Sequence, residues 1–295
     1  MTAKVAEDVL PPVLPGVLGD RQRPREIRFV WPGRPEGRLA QKKRVTPGAV
    51  RWPRLDGVRE ELLAWYGKNK RPLPWRETTD PYSILVSEVM LQQTQVDRVV
   101  PRYLAWLERW PTAEALAEAA AGDVIREWQG LGYNRRAISL HRAAQHVAAH
   151  GWPDDLTVLP GVGTYTAAAV RNFALGEDIL PRDVNVDRIE RRTGVSFTGA
   201  AAQALMDLGA TVCLARIPRC DVCPLAEACP SRGTRDEPAR KQSRCEGSFR
   251  QRRAGALRLV AERSRSVEEL DAAAVESLAR DGLVVVTDGR VELPA

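Results

Sequence analysis

Several features are scarce in this 295-residue sequence, and each absence narrows what the chain can be. No apolar run approaches the roughly 20 residues a bilayer crossing needs, which argues against an integral membrane protein. The first thirty residues lack the unbroken apolar core of a secretory signal, so the expected location is cytoplasmic. Histidines number only three, His141, His146 and His150; they fall on one predicted helix and read as a solvated face rather than as ligands. From Leu55 to about Cys229 no run alternates with period two, which leaves little room for strands.

What is present is a globular balance of 44% hydrophobic and 28% charged residues, with a net charge of +6. The excess is uneven. Residues 1–52 hold eleven Lys/Arg against five Asp/Glu, together with seven of the 21 prolines, and the rest of the chain is neutral. A neutral body with a basic, irregular arm suits a polyanionic partner. In the body, Leu62, Leu63, Trp65 and Tyr66 recur at helical spacing. So do Ile84, Leu85, Glu88 and Leu91, and then Val99, Tyr103, Trp106 and Leu107. Prolines at 81, 101, 111, 153 and 160 mark breaks or first turns. The predicted body is all-α.

Residues 233–252 are polar and read as a linker. The last forty residues change character: a helix opens around Leu257, a second is predicted over Val267 to Ala273, and a third over Ala274 to Arg280. A hairpin then turns at Asp288-Gly289. Three helices and a hairpin describe a winged-helix-like module over 253–295, serving DNA contact or acting as a packing or dimerisation unit.

Two motifs carry chemistry. Leu159-Pro-Gly-Val-Gly-Thr-Tyr runs into a helix at about Thr164, and the backbone amides of Gly161, Val162 and Gly163 are candidates for phosphate binding at that helix start. Cys213, Cys220, Cys223 and Cys229 are spaced C-x6-C-x2-C-x5-C, whereas Cys245 stands apart as an ordinary thiol. A reducing compartment makes the cluster a metal site rather than a pair of disulfides. The spacing suits a cubane iron–sulfur cluster, with zinc a competitor.

The Leu159-Pro-Gly-Val-Gly turn, Asp183 some twenty residues on and then the cysteine cluster together resemble the helix-hairpin-helix DNA glycosylase superfamily, over about residues 58–232. Its iron–sulfur members share this cysteine spacing. Ser87-Glu-Val-Met-Leu-Gln-Gln-Thr-Gln-Val, Leu73-Pro-Trp-Arg and Gly130-Leu-Gly-Tyr resemble its MutY-like adenine glycosylase branch. The resemblance implies a two-lobed all-α fold over 53–232 with a [4Fe–4S] cluster on the four cysteines of 213–229. It also implies a DNA glycosylase that acts as a monomer near the nucleoid on double-stranded DNA with a mismatched or damaged base, the base being adenine opposite guanine or 8-oxoguanine. Glu88 takes the place of the general acid, and Asp183, with Asn185 beside it, that of the carboxylate stabilising the sugar cation. Tyr165 stands where strand-cutting relatives have a lysine, so a monofunctional enzyme is expected. Gln93 and Tyr133 match positions that wedge into the base stack; Trp75, Arg76, Gln92 and Gln203 match the base pocket.

The sequence also departs from that pattern. Asp-Gly-Asn-Val becomes Asp183-Val-Asn-Val, Tyr-Tyr becomes Tyr133-Asn134, and only fourteen residues separate Arg188 from Gln203. That short segment removes part of one wall of the base cleft. Thymine or uracil excision, or excision of another modified base, is the alternative activity, and a non-catalytic DNA-binding protein the alternative class.

Overall fold

The computed structural model describes residues 55–237 and 244–295. The basic arm and residues 238–243 of the predicted linker lie outside the described residues. The chain forms α1 (Leu55–Asn69), α2 (Pro81–Leu91), α3 (Val96–Arg109), α4 (Ala113–Ala117), α5 (Ala121–Glu127), α6 (Arg135–His150) and α7 (Thr164–Leu175). There follow α8 (Val184–Thr193), α9 (Ala202–Thr211), α10 (Phe249–Glu262), β1 (Arg265–Ser266), α11 (Ala272–Arg280), β2 (Val285–Thr287) and β3 (Arg290–Glu292). Among the described residues no helix is long and apolar enough to cross a membrane.

The central helix is α2. Asp80 caps it, accepting from the Ser83 amide at 2.8 Å, and Pro81 pre-sets its first turn. Its residues from Tyr82 to Met90 are all buried. A helix apolar on every side belongs inside, and α2 packs chiefly against α3 and α7. Around it sits a tryptophan-rich core in which Trp106 meets Trp110 and Trp128 edge-on, with centroids 4.8 and 5.5 Å apart. A second core joins α1, α8 and α9 through Leu62, Val186, Ile189, Leu205 and Leu208. Although Pro101 was expected at a break or a first turn, α3 continues through it. The residue lies early in the helix, where one lost backbone bond is tolerated by a helix whose Val99, Tyr103 and Trp106 are fully packed.

His141 also differs from expectation. It is buried on the face that α6 turns inward with Ala137, Leu140 and Ala144, and burial lowers its pKa. His146 and His150 remain toward solvent.

At the C-terminal end, α10 begins at Phe249, inside the stretch predicted as linker, because Ser248 caps it by accepting from the Gln251 amide. The helix predicted over Val267 to Ala273 is only a 3-10 turn at Val267–Glu269, closed by a capping box between Ser266 and Glu269. Asp271 then starts α11 afresh at Ala272, two residues before the predicted start. Asp288 and Gly289 both have positive φ, 50° and 73°, as a tight hairpin turn requires. The three strands pair antiparallel in the order β1-β3-β2.

This C-terminal unit shares a core with the helical body. Ile125 of α5 and Ile138 of α6 are buried among Leu257, Val260, Val275, Leu278 and Val291. Gly122 in α5 lies under the chain end, where a Cβ would come 2.7 Å from the Pro294 carbonyl oxygen and 3.1 Å from the Leu293 Cβ. Replacing a helical glycine by alanine ordinarily gains about 0.5–1 kcal/mol. Here overpacking against backbone, typically about 1–3 kcal/mol, should win. Gly122→Ala is therefore expected to lower the Tm by a few degrees, and an unchanged or raised Tm in a thermal melt would refute this packing.

Candidate active site

Between the two cores of the helical body lies a cavity of about 460 Å³, within the roughly 300–1,000 Å³ range of small-molecule sites. Glu88 projects into it from α2, Tyr165 from the first turn of α7 and Asp183 from the start of α8. Trp75, Arg76, Gln92, Gln93 and Gln203 line the same space. Of the residues expected in catalysis, the base pocket or the wedge, Tyr133 and Asn185 are not on its wall.

Glu88 is 5% exposed. Burial pushes its pKa up to about 7; a hydrogen bond with the Tyr165 hydroxyl opposes the rise, and the nearby Asp183 carboxylate adds to it. Near neutral pH this carboxyl keeps a proton that an exposed glutamic acid would have lost. Tyr165 is held far above its usual pKa, by burial first and then by the two neighbouring carboxylates, so its hydroxyl stays protonated.

Asp183 is fixed as the N-cap of α8. One oxygen accepts from the amides of Asn185 and Val186, at 2.9 and 2.8 Å. The other accepts from Asn185 Nδ2 at 2.7 Å. Asn185 Oδ1 accepts in turn from Arg188 Nη2 at 2.7 Å. Asn185 thus stands behind Asp183 as its support, packed where Gly209 has no side chain: a Cβ on Gly209 would come 2.5 Å from the Asn185 Cβ. The valine at 184, where the family pattern has glycine, is the first residue of α8 and 76% exposed, so nothing there requires glycine.

The pocket walls are rigid. Trp75 meets Tyr103 edge-on, centroids 5.4 Å apart. Gln203 accepts from the Tyr66 hydroxyl at 2.6 Å. Arg76 donates twice to Asp207, at 2.6 and 2.7 Å, and Arg71 Nε donates to the same carboxylate at 2.6 Å. The Arg76 side chain is therefore a fixed part of the wall rather than a loose donor. For Asp207, burial pushes the pKa up, but the two arginines outweigh it and the net direction is down.

Gln93 and Tyr133 are two of the three non-glycine residues among those described with positive φ, 56° and 47°. Arg136 holds both loops. Its Nη1 donates to the carbonyls of Val89, Met90 and Gln92 at 2.7–2.9 Å, and its Nη2 to the Thr94 hydroxyl and the Gly132 carbonyl. The carbonyls at the C-terminal end of α2, which have no partner within the helix, are thereby satisfied.

In the glycine turn, Gly161 has φ 80°, and a Cβ there would come 2.6 Å from the Ser139 Cβ. The Val162 amide is used by the turn itself, donating to Leu159 at 3.1 Å, and Val162 is buried. Gly163 is the N-cap of α7, and no side chain caps that helix. The opening amides of α7 are accordingly the part of the turn suited to an anion.

The four cysteines line one small cavity together with Arg192 and Arg219. No group of three Cys, His, Asp or Glu residues among those described closes on a single metal-ion position. The Gly233 amide donates to Cys220 Sγ at 3.3 Å, and Arg192 to Cys213 Sγ at 3.4 Å. The buried Arg192 Nε has no partner among the described residues. Four converging thiols with N–H donors and a spare guanidinium nitrogen fit an anionic, sulfide-bearing cluster.

Residues 86–209 match the family of HhH-GPD superfamily base excision DNA repair proteins. The chain is 41% identical over 281 residues to the adenine DNA glycosylase of Mycobacterium tuberculosis, covering 79% of this chain and 92% of that one. It is 40% identical to that of Mycolicibacterium smegmatis, covering 79% and 94%. Among solved structures, a thermostable thymine-DNA glycosylase superposes with a TM-score of 0.55 at 25% identity, over 60% of this chain and 95% of that one. An endonuclease III–DNA covalent intermediate superposes with a TM-score of 0.52 at 20% identity, over 60% and 94%. The chain belongs to the HhH-GPD superfamily of base-excision DNA repair proteins, and its fold is the helical fold of those enzymes. Within the superfamily its similarity is to the adenine DNA glycosylases.

Proposed function

We propose that the protein is a monofunctional adenine DNA glycosylase, hydrolysing the N-glycosidic bond of adenine mispaired with guanine or 8-oxoguanine. The observation that carries this is the pair of carboxyls on one cavity, a buried Glu88 kept protonated and a rigidly capped Asp183. Cleavage at an anomeric carbon needs both a proton for the leaving group and a negative group for the sugar cation. Glu88 gives its proton to the extruded adenine as the bond breaks, and Asp183 faces the resulting cation. Water then completes the hydrolysis. Tyr165 keeps Glu88 in place and, as a phenol, forms no imine with the sugar. Gln93 and Tyr133, on their clamped loops, fill the gap left in the duplex. The glycine turn and the start of α7 take a DNA phosphate.

Cys213, Cys220, Cys223 and Cys229 would hold a [4Fe–4S] cluster, which when bound ties the 213–229 loop together through four thiolate–iron bonds. The C-terminal unit, α10, α11 and the three strands, is a winged-helix-like module on a glycosylase body, and the enzyme works as a monomer on double-stranded DNA in the nucleoid.

A panel of duplexes carrying A:G, A:8-oxoguanine, T:G and U:G pairs tests the function. Free adenine should appear from the first two only. The abasic strand should stay intact until treated with alkali, with no adduct trapped by borohydride and about four irons per chain in the purified protein. Release of thymine or uracil instead of adenine would overturn the assignment of the base. A borohydride-stable adduct would overturn the monofunctional reaction and make Lys68 and Lys70 the first residues to examine.

A further inference from the structure

A second cleft of about 250 Å³ adjoins the first, and Gln92 and Gln93 border both. Its other side is built by Arg135 and Arg136 at the start of α6 and by Arg253 of α10. The donors of Arg136 are consumed by loop carbonyls. Arg135 and Arg253 are placed differently, for both lean on the single carboxylate of Asp281. Two guanidiniums on one carboxylate leave a positive charge uncompensated. Arg135 is 74% exposed, and the buried Arg253 Nε has no hydrogen-bond partner among the described residues.

The placement is rigid. Besides the shared core of Ile125, Ile138, Leu257 and Val260, Arg126 Nε donates to the Ala261 carbonyl at 3.2 Å, and the Ala121 amide to the last residue, Ala295, at 3.3 Å. The C-terminal unit therefore presents Arg253 at a fixed distance from the first cavity. A pair of arginine forks with one positive charge left over matches the oxygens of a phosphodiester.

We propose that this second cleft binds a backbone phosphate of DNA next to the nucleotide whose base enters the first cavity, with Arg253 and Arg135 as its donors. The C-terminal unit is then part of the DNA-binding surface. The proposal rests on the first cavity being the base pocket, but its test does not need excision.

Binding of the full-length protein to an undamaged and to an A:G duplex is measured by fluorescence anisotropy over a salt series. Arg253→Ala should weaken both on the order of five-fold at low salt, with the slope of log K against log salt shallower by about 0.9, the value for one phosphate contact. Arg253→Lys should restore the slope and only part of the affinity, since it keeps the charge without the fork. Should Arg253→Ala fail to fold, Arg135→Ala, an exposed position, is expected to lower the slope equally. Unchanged slopes in the variants that fold would overturn the proposal, and so would a loss confined to one opposing base, which would mean base contact rather than phosphate contact. Absence of adenine release by the wild type would overturn the proposed function while leaving the salt slopes on undamaged DNA to decide this proposal.

Discussion

Glu88→Gln should lower single-turnover excision of adenine by about 10²–10⁴, the usual cost of removing a positioned proton donor. Mismatch binding should persist, because an amide fills the same space beside Tyr165. The same substitution should make the protein more stable at pH 8. Glu88 titrates near 7 in the folded chain, against an ordinary value of 4.5. Between those values the folded state holds a proton that the unfolded state has released, so stability falls as pH rises through the window. The full difference is about 3 kcal/mol. The favourable share is present below pH 4.5 and gone above pH 7. Glutamine carries no charge to bury, so at pH 8 Glu88→Gln should melt higher than wild type, and at pH 5 the gap should close. Near-normal excision by the variant would make Glu88 a structural acid.

Asp207→Asn should cost about 3–5 kcal/mol, the range found when one member of a buried ion pair is removed. Asp207 is fully buried and answers two arginines; a neutral amide leaves both undercompensated. Arg71 is 28% exposed and partly hydrated, which pulls the expectation toward the lower figure. For a chain of this size a Tm drop of about 6–12 °C follows. Because Asp207 fixes the Trp75–Arg76 turn against α9, the remaining folded protein should also lose affinity for the extruded base. A change below about 1 kcal/mol in urea unfolding would show that the network contributes little.

Why some of this was legible in the sequence and some not is visible residue by residue. Helix α2 is legible in Pro81 and in the helical spacing of Ile84, Leu85 and Leu91, and Glu88 stands out as the carboxyl at that spacing, whereas the Asp80 cap emerges only from the structure. The three residues Glu88, Tyr165 and Asp183 meet at one cavity although 95 positions separate the first from the last. Spacing could not show that meeting; only the resemblance implied it. Asp207 was overlooked, yet a lone acid in Ala-Leu-Met-Asp-Leu-Gly-Ala signals a buried carboxylate in need of a cation. Arg136 carries no such signal, because all but one of its acceptors, the Thr94 hydroxyl, are backbone carbonyls that any sequence supplies. For His141 the polar residue type points to solvent, but its register with Ala137, Leu140 and Ala144 points to the core, and register wins. The start of α10 was hidden by the arginines of Phe-Arg-Gln-Arg-Arg, though Ser248 followed three residues later by Gln251 is a capping signature. In Val267 to Ala273 the helical spacing runs across Asp271, the cap that divides it from the first turn and starts α11 afresh.

The pH dependence of single-turnover adenine excision from an A:G duplex tests the protonated carboxyl most directly. With Glu88 as the acid, the rate should hold steady below about pH 7 and fall close to tenfold per unit above it, and Glu88→Gln should abolish that limb along with most of the rate. A wild-type rate that stays flat, or climbs, from pH 6 to about 9 would mean that the proton on adenine does not come from Glu88.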